Sequence, residues 1–229
     1  EDGFPDIIVA NRGSRRASPN YICINNGSGK FDTECISFSD YSSTTITPAD
    51  FNQDGLMDLA VPHRDGGQSY LFVQTGKANF DFEQIPFGPA DASIRMSKAA
   101  DFDNDGDLDL VTIDIERGVV IYFQDANGTF TLEKRFGKPS SMPYALSVSD
   151  FNEDGEVDIV VGFRESESVI YFNQDSGKSF IPKKFGDGKG GVYGFAIGDL
   201  DEDGRLDIAV ARSGAPNVVY FGSAPDSNE

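Results

Sequence analysis

The sequence has no tryptophan, one histidine and two cysteines. That poverty excludes several chemistries. His63, in VPHRDGG and expected in an exposed loop, has no second histidine and no nearby cysteine, which argues against a zinc site. No G-x-S-x-G elbow occurs and no other histidine could serve a hydrolase triad. No apolar stretch approaches the ~18 residues that a membrane-spanning helix needs. No leader-like segment opens the chain, which therefore reads as a mature protein or an excised piece. Cations are scarce: 19 Lys and Arg stand against 38 Asp and Glu, a net charge of -19. Such acidity repels phosphate backbones and argues against a nucleic-acid partner. A divalent cation is the obvious counter-charge.

What is present suits a packed, turn-rich fold. The chain is 38% hydrophobic and carries 19 Phe, enough for a core. Its 25 Gly and 11 Pro imply many turns, and its 229 residues fit one large domain or one repeat array.

The array is explicit. DFNQDGLMDLAV begins at Asp50, DFDNDGDLDLV at Asp101, DFNEDGEVDIVV at Asp150 and DLDEDGRLDIAV at Asp199, with a clipped copy, EDGFPDIIV, at the start. The motif glycines Gly3, Gly55, Gly106, Gly155 and Gly204 are 52, 51, 49 and 49 residues apart. Phe-Gly pairs at Phe87, Phe136 and Phe185 keep the same beat, and so do the aromatic runs YICIN, YLFVQ, VIYFQ, VIYFN and VVYFG. These runs are short, β-branched or aromatic, and bounded by Gly, Asn, Asp and Ser, the signature of strands. The fourth repeat shows four of them: YALSVSD, VDIVVGF, SVIYFNQ and SFIPKKF. Four strands per period of about 50 residues predicts an all-β fold, a β-propeller of four-stranded blades. The five repeats, approximately 1–40, 41–90, 91–139, 140–188 and 189–229, form one domain spanning 1–229. The terminal repeats are partial. The first lacks its opening strand and the fifth stops after its third, so about 18 strands are expected; either the ring closes imperfectly or, the reading favoured here, the chain is a fragment of a larger propeller.

The shared acidic pattern is D-x-[DN]-x-D-G-x-x-D. Calcium takes six to eight oxygens at about 2.3–2.6 Å from flexible loops. Alternate side chains of a tight loop can converge on one point, and the glycine permits the turn. The side-chain ligand sets are Asp50, Asn52, Asp54 and Asp58; Asp101, Asp103, Asp105 and Asp109; Asp150, Asn152, Asp154 and Asp158; and Asp199, Asp201, Asp203 and Asp207. Leu56, Asp107, Glu156 and Arg205 would add main-chain carbonyls. The sets hold 14 of the 38 acids, and four calcium ions would bring the charge from -19 to -11. An EF-hand is excluded, because its twelfth position demands a bidentate Glu and here holds Val61, Thr112, Val161 or Val210 inside a strand. The alternative is an Asx-rich turn without metal.

Motif, period and Phe-Gly pairs, with VANRGS at 9–14, together resemble the FG-GAP/VCBS family of repeats over essentially the whole chain. The resemblance implies an extracellular or cell-surface β-propeller that binds calcium between the first two strands of each blade; it fixes the fold far better than the function. The function expected is a ligand-binding or adhesion module working outside the cytoplasm, in an extracellular, cell-surface or periplasmic setting. The first repeat departs from the family, since only Asp2 and Asp6 remain of its ligands.

Cys23 and Cys35 flank NNGSGK symmetrically about Gly29, so a hairpin there would place them opposite one another and allow a disulfide, which implies an oxidising compartment. Arg12, Arg64, Arg117, Arg164 and Arg212 fall five to eight residues after the last motif aspartate of their repeats. They are candidates for a rim that binds an anionic glycan or an acidic protein partner. The competing reading pairs them with nearby acids such as Asp65, Glu116 and Glu165. The alternative function is a propeller within a polysaccharide-degrading, lyase-like enzyme, using Tyr70, Tyr122, Tyr144, Tyr171 or Tyr193. NGS at 26–28 and NGT at 127–129 match the glycosylation pattern but read better as tight turns.

Overall fold

The structure, a computed structural model, describes residues 3–13, 18–31, 35–76, 80–137 and 142–223. Among the described residues there are eighteen strands and no helix. They form five antiparallel meanders. The first holds β1 (Ile7–Val9), β2 (Asn20–Cys23) and β3 (Ile36–Ser39). The second holds β4 (Thr47–Ala49), β5 (Asp58–Val61), β6 (Ser69–Gln74) and β7 (Phe82–Phe87). The third holds β8 (Ile94–Ala100), β9 (Asp109–Asp114), β10 (Gly118–Phe123) and β11 (Leu132–Phe136). The fourth holds β12 (Pro143–Ser149), β13 (Asp158–Phe163), β14 (Ser168–Gln174) and β15 (Ser179–Phe185). The fifth holds β16 (Gly191–Gly198), β17 (Asp207–Ser213) and β18 (Val218–Tyr220). Three sheets are therefore four-stranded and the terminal two are three-stranded, in the pattern of propeller blades.

Burial explains the composition of each strand. The apolar runs after the acidic loops become strands covered on both faces. β9, β10 and β13 are buried at every position. Fourth strands carry the charge and are largely exposed, as in β11 and β15.

Two compact units are distinguished, Glu1–Ala99 with Asp107–Arg135, and Ala100–Gly106 with Phe136–Glu229. In the first, one core gathers Phe51, Leu71, Phe87, Leu110, Tyr122 and Phe130, and a second gathers Ile22, Leu59, Val61 and Phe72. In the second unit, Ala145, Val160, Val192, Ile208 and Val210 form the core. Register repeats as faithfully as sequence. β12–β13 shifts register between Pro143 and Ala145, and β16–β17 shifts between Val192 and Gly194, one period later.

The hairpin expected around Gly29 forms. Tyr21 faces Ser37 and Ile22 faces Ile36. Continued by one residue, that register opposes Cys23 and Cys35, which are joined by a disulfide with a Cα–Cα distance of 4.4 Å.

Candidate metal centre

Each acidic loop joins the first and second strands of a four-stranded meander, or the corresponding pair of the fifth sheet, β16 and β17. Its shape comes from two left-handed residues. Gln53, Asn104, Glu153 and Glu202 occupy position 4 with φ of 58°, 59°, 60° and 62°, and the glycines of position 6 have φ from 82° to 97°. Only the glycine was legible as a turn signal. The position-4 residues are amides or glutamates, and Asn tolerates this region better than Glu does.

The turn folds the carboxylates inward onto its own N–H groups. In the fourth loop, Asp199 accepts from the N–H of Asp203 at 3.1 Å and of Gly204 at 2.9 Å. Asp201 accepts from the N–H of Asp203 at 3.2 Å. Asp203 accepts from the N–H of Arg205 and pairs with its guanidinium at 2.7 Å. Asp50, Asn52 and Asp54 make the same backbone contacts in the first loop, and Asp150, Asn152 and Asp154 make them in the third. In the second loop, Gly106 donates to Asp101 at 3.0 Å, while Oδ1 of Asp101 and Oδ1 of Asp103 are buried without a hydrogen-bond partner. Burial, then the neighbouring Asp105 charge, pushes the Asp103 carboxyl up.

The ninth position does something the sequence did not announce. Asp58, Asp109, Asp158 and Asp207 are wholly inaccessible. One oxygen of Asp58 accepts from the N–H of Phe51 and the other from that of Gln74, each at 2.9 Å. Asp158 does the same with Phe151 and Asn173, and Asp207 with Leu200 and Gly222. This aspartate therefore staples its loop to the third strand of its sheet. Burial raises the Asp58 carboxyl, and raises Asp158 to about 6. Asp207, in the three-stranded fifth sheet, is instead held below the usual range by the N–H of Gly222, opposed by burial and aided by Leu200.

The donor set fits a hard cation. Carboxylate oxygens of Asp199, Asp201 and Asp207 all lie within 4.8 Å of one another. Oxygens that share one calcium at about 2.4 Å lie no more than about 5 Å apart, so this cluster has the right span. An oxygen that accepts one N–H keeps a second lone pair. The two orphaned oxygens of Asp101 and Asp103 are a further sign of a missing partner. Acidic clusters that could hold a metal are thus built into these loops. Main-chain groups of Leu56, Asp107, Glu156 and Arg205 lie one residue after the turn glycine. In the first repeat, Asp6 is described and Asp2 lies outside the described residues.

The periodic arginines mostly meet acids. Arg12 binds Asp65 with Nε and Nη2 at 3.2 and 2.7 Å, and that bond holds the Asp65 carboxyl below its usual range. Arg117 pairs with Asp91 at 2.7 Å and Asp114 at 3.3 Å rather than with the expected Glu116. Arg164 lies 3.6 Å from Glu165, and Arg212 binds Asp187 at 2.6 Å. Arg64 is buried in the first unit, its N–H bonded to Ser42. His63 is half-buried rather than exposed. Its ring packs on Tyr41 and burial lowers its pKa. In both glycosylation-like triplets the glycine has positive φ, 78° at Gly27 and 75° at Gly128, as tight turns require.

Sequence reasoning also missed two latches. Gln124 Nε2 donates to the carbonyl of Phe51 at 3.1 Å, and Asn173 Nδ2 donates to that of Phe102 at 2.9 Å. Each reaches from the end of a third strand to the acidic loop of the preceding repeat. The signal was the polar residue closing VIYFQ and VIYFN.

The sequence matches the FG-GAP-like repeat at residues 1–61, 50–112, 101–161 and 150–210. The chain belongs to that repeat family. No curated protein matches it. Among solved structures it is similar to the Vibrio cholerae biofilm matrix protein Bap1, with a TM-score of 0.53 and 17% identity over 90% of this chain and 30% of that one. It is also similar to BBS1N in two complexes with ARL6DN. The TM-scores are 0.58 and 0.59, at 13% and 12% identity, over 97% of this chain and 66% and 62% of the other. At these identities the likeness is one of fold. The chain spans less than a third of Bap1 and just under two thirds of BBS1N.

Proposed function

We propose that the chain is a calcium-stabilised module of the β-propeller type, working outside the cytoplasm as an adhesion or ligand-binding surface. The observation that carries the reading is the convergence of Asp199, Asp201 and Asp207 on a loop whose sequence recurs at Asp50, Asp101 and Asp150. About four ions are expected. Calcium is favoured over magnesium because a loop of carboxylates, amides and carbonyls offers many oxygens without enforcing a tight octahedron. The disulfide supports an oxidising compartment, and the biofilm-matrix setting named for Bap1 supports an adhesive role. The arginines make a poor anion site while Asp65, Asp91 and Asp187 hold Arg12, Arg117 and Arg212. A protein or a weakly charged glycan is therefore the favoured ligand.

Thermal unfolding in about 2 mM calcium against excess EDTA, with titration calorimetry for stoichiometry, tests the reading. A ligand at about a thousand times its Kd adds about 4 kcal/mol per site, so a large upward shift and about four sites are expected. No shift and no heat of binding would reduce the loops to plain turns and overturn the proposal.

A further inference from the structure

His63, the single histidine of the chain, lies in the turn between β5 and β6, inside the first compact unit. The backbone of this turn is tied on two sides. The N–H of Arg64 donates to the carbonyl of Ser42 at 2.8 Å, just before β4. On the other side, the N–H of Gly67 donates to the carbonyl of Ala92, and the carbonyl of His63 accepts from the N–H of Ile94 at 2.9 Å. Within the turn, the N–H of His63 donates to Oγ of Ser69 at 2.9 Å.

The imidazole fixes what remains. Its Nδ1 accepts from the N–H of Asp65 at 3.3 Å, which puts the proton of the neutral ring on Nε2. The ring packs edge-on against Tyr41 at 6.3 Å. It also lies over Gly67, where a Cβ would meet its atoms at 2.8 Å. The φ of Gly67 is not left-handed, so the small residue is needed for the ring and not for the backbone. The turn so held presents the Asp65 carboxylate, which accepts from Nε and Nη2 of Arg12 at 3.2 and 2.7 Å and from Oγ of Ser42 at 2.6 Å. Arg12 follows β1 and Ser42 precedes β4, so Asp65 ties the first sheet to the second.

The charges around the ring oppose a second cation. Asp65 favours an imidazolium, but its carboxylate already holds Arg12, and the Arg64 guanidinium also acts on it. Tyr41 faces the ring from the first sheet's side, with Tyr70 stacked behind it and Asp40 nearby, and its hydroxyl pKa is raised by burial. Towards β8 the turn meets the backbone of Ala92 and Ile94, while the adjacent Asp91 pairs with Arg117. Burial outweighs the Asp65 charge and lowers the pKa of His63.

We infer that His63 is an acid-sensitive latch on the seam between the first and second sheets. Its neutral ring holds Asp65 where Arg12 and Ser42 bind it. A proton taken from solvent onto the Nδ1 lone pair sets two donors, Nδ1–H and the N–H of Asp65, against each other, which opens the turn and loosens the seam. A base whose folded pKa lies below its unfolded value gives full stability above the unfolded pKa, and loses it as pH falls towards the folded one.

The test uses the whole chain in saturating calcium, with its histidine isotope-labelled, read by NMR. The Nε2–H tautomer is expected near neutral pH, with a titration midpoint below the usual ~6.5. Backbone amide signals of Arg12, Ser42 and Asp65 should move with that midpoint. Between about pH 7.5 and about pH 5, the parent should lose more melting temperature than His63→Gln does. The acids common to both proteins cancel in that comparison. Gly67→Ala keeps the histidine but displaces its ring, so the midpoint should return towards ~6.5. An Nδ1–H tautomer, a midpoint at or above the usual value, or one unmoved by Gly67→Ala would overturn the inference. So would amides of Arg12 and Ser42 that ignore the titration, or equal acid losses in the parent and His63→Gln.

Discussion

Asp6 accepts a hydrogen bond from the backbone N–H of Asn25 at 2.8 Å. It is the ninth-position aspartate of the repeat whose acidic loop is clipped. The equivalent bond recurs from Gln74 to Asp58, Gln124 to Asp109, Asn173 to Asp158 and Gly222 to Asp207, at 2.8–2.9 Å. The bond thus recurs in all five sheets. The ninth aspartate is therefore a structural element in its own right, and metal ligation would be a second duty.

That separation is measurable. Asp158→Ala leaves the N–H groups of Phe151 and Asn173 without acceptors, so it should cost about 2–6 kcal/mol even in EDTA, at about 1–3 kcal/mol for each orphaned donor. Asp201→Ala removes one long bond on an exposed loop and should be nearly neutral in EDTA, yet lose much of any calcium stabilisation. Urea unfolding of both variants, with and without calcium, decides. Equal losses in EDTA would merge the two roles.

The period, the strands and the loops were legible because a repeat states its pattern several times over. A single DxDxDG loop says little about a fold, but four on one beat mark a repeat. Three things stayed hidden for one reason, that they depend on pairings far apart in sequence. Arg12 finds Asp65 53 residues away, Gln124 finds Phe51 73 residues away, and Asn173 finds Phe102 71 away. A period tells which residues are equivalent, not which neighbour an equivalent residue touches. The staple made by the ninth aspartate was hidden for another reason, since a candidate ligand and a backbone acceptor present the same letter.

The Phe-Gly pairs have a steric cause. Gly88 has φ +64°, and a Cβ there would lie 2.8 Å from Oη of the buried Tyr122. Gly88→Ala therefore meets both a left-handed backbone and a collision, and should cost about 2–3 kcal/mol. Gly55→Ala has φ +82° but nothing within 4 Å, so only the backbone penalty of about 1 kcal/mol applies. Thermal melts in EDTA should rank the two in that order. The reverse order would mean that the contact with Tyr122 relaxes freely.

The disulfide closes a short loop, Cys23 to Cys35, with a separation of 12 residues. A cross-link of this span contributes about 3 kcal/mol in the chain-entropy account. Cys23→Ser with Cys35→Ser should lower stability by about that amount. The first sheet should loosen most, because β1 and β3 are its short edge strands. Hydrogen exchange localises the effect. Protection lost evenly over all five sheets would show that the first sheet has no separate stability.

The latches make the last prediction. The Gln124 side chain is 6% exposed and its amide donates to Phe51, so Gln124→Leu keeps the volume and removes the donor. The carbonyl of Phe51 is then left short of a partner in a buried setting, at about 1–3 kcal/mol. Asn173 is fully buried and does two jobs, donating to Phe102 and accepting from the N–H of Gly177 at 2.9 Å. Asn173→Leu should therefore cost more than Gln124→Leu, and Asn173→Asp should be worse still, because it places a carboxylate against the Phe102 carbonyl. Chemical denaturation of the three variants tests that order. An Asn173→Asp protein as stable as the parent would show that the latch carries no energy, and would leave apolar packing alone to hold each third strand to the preceding loop.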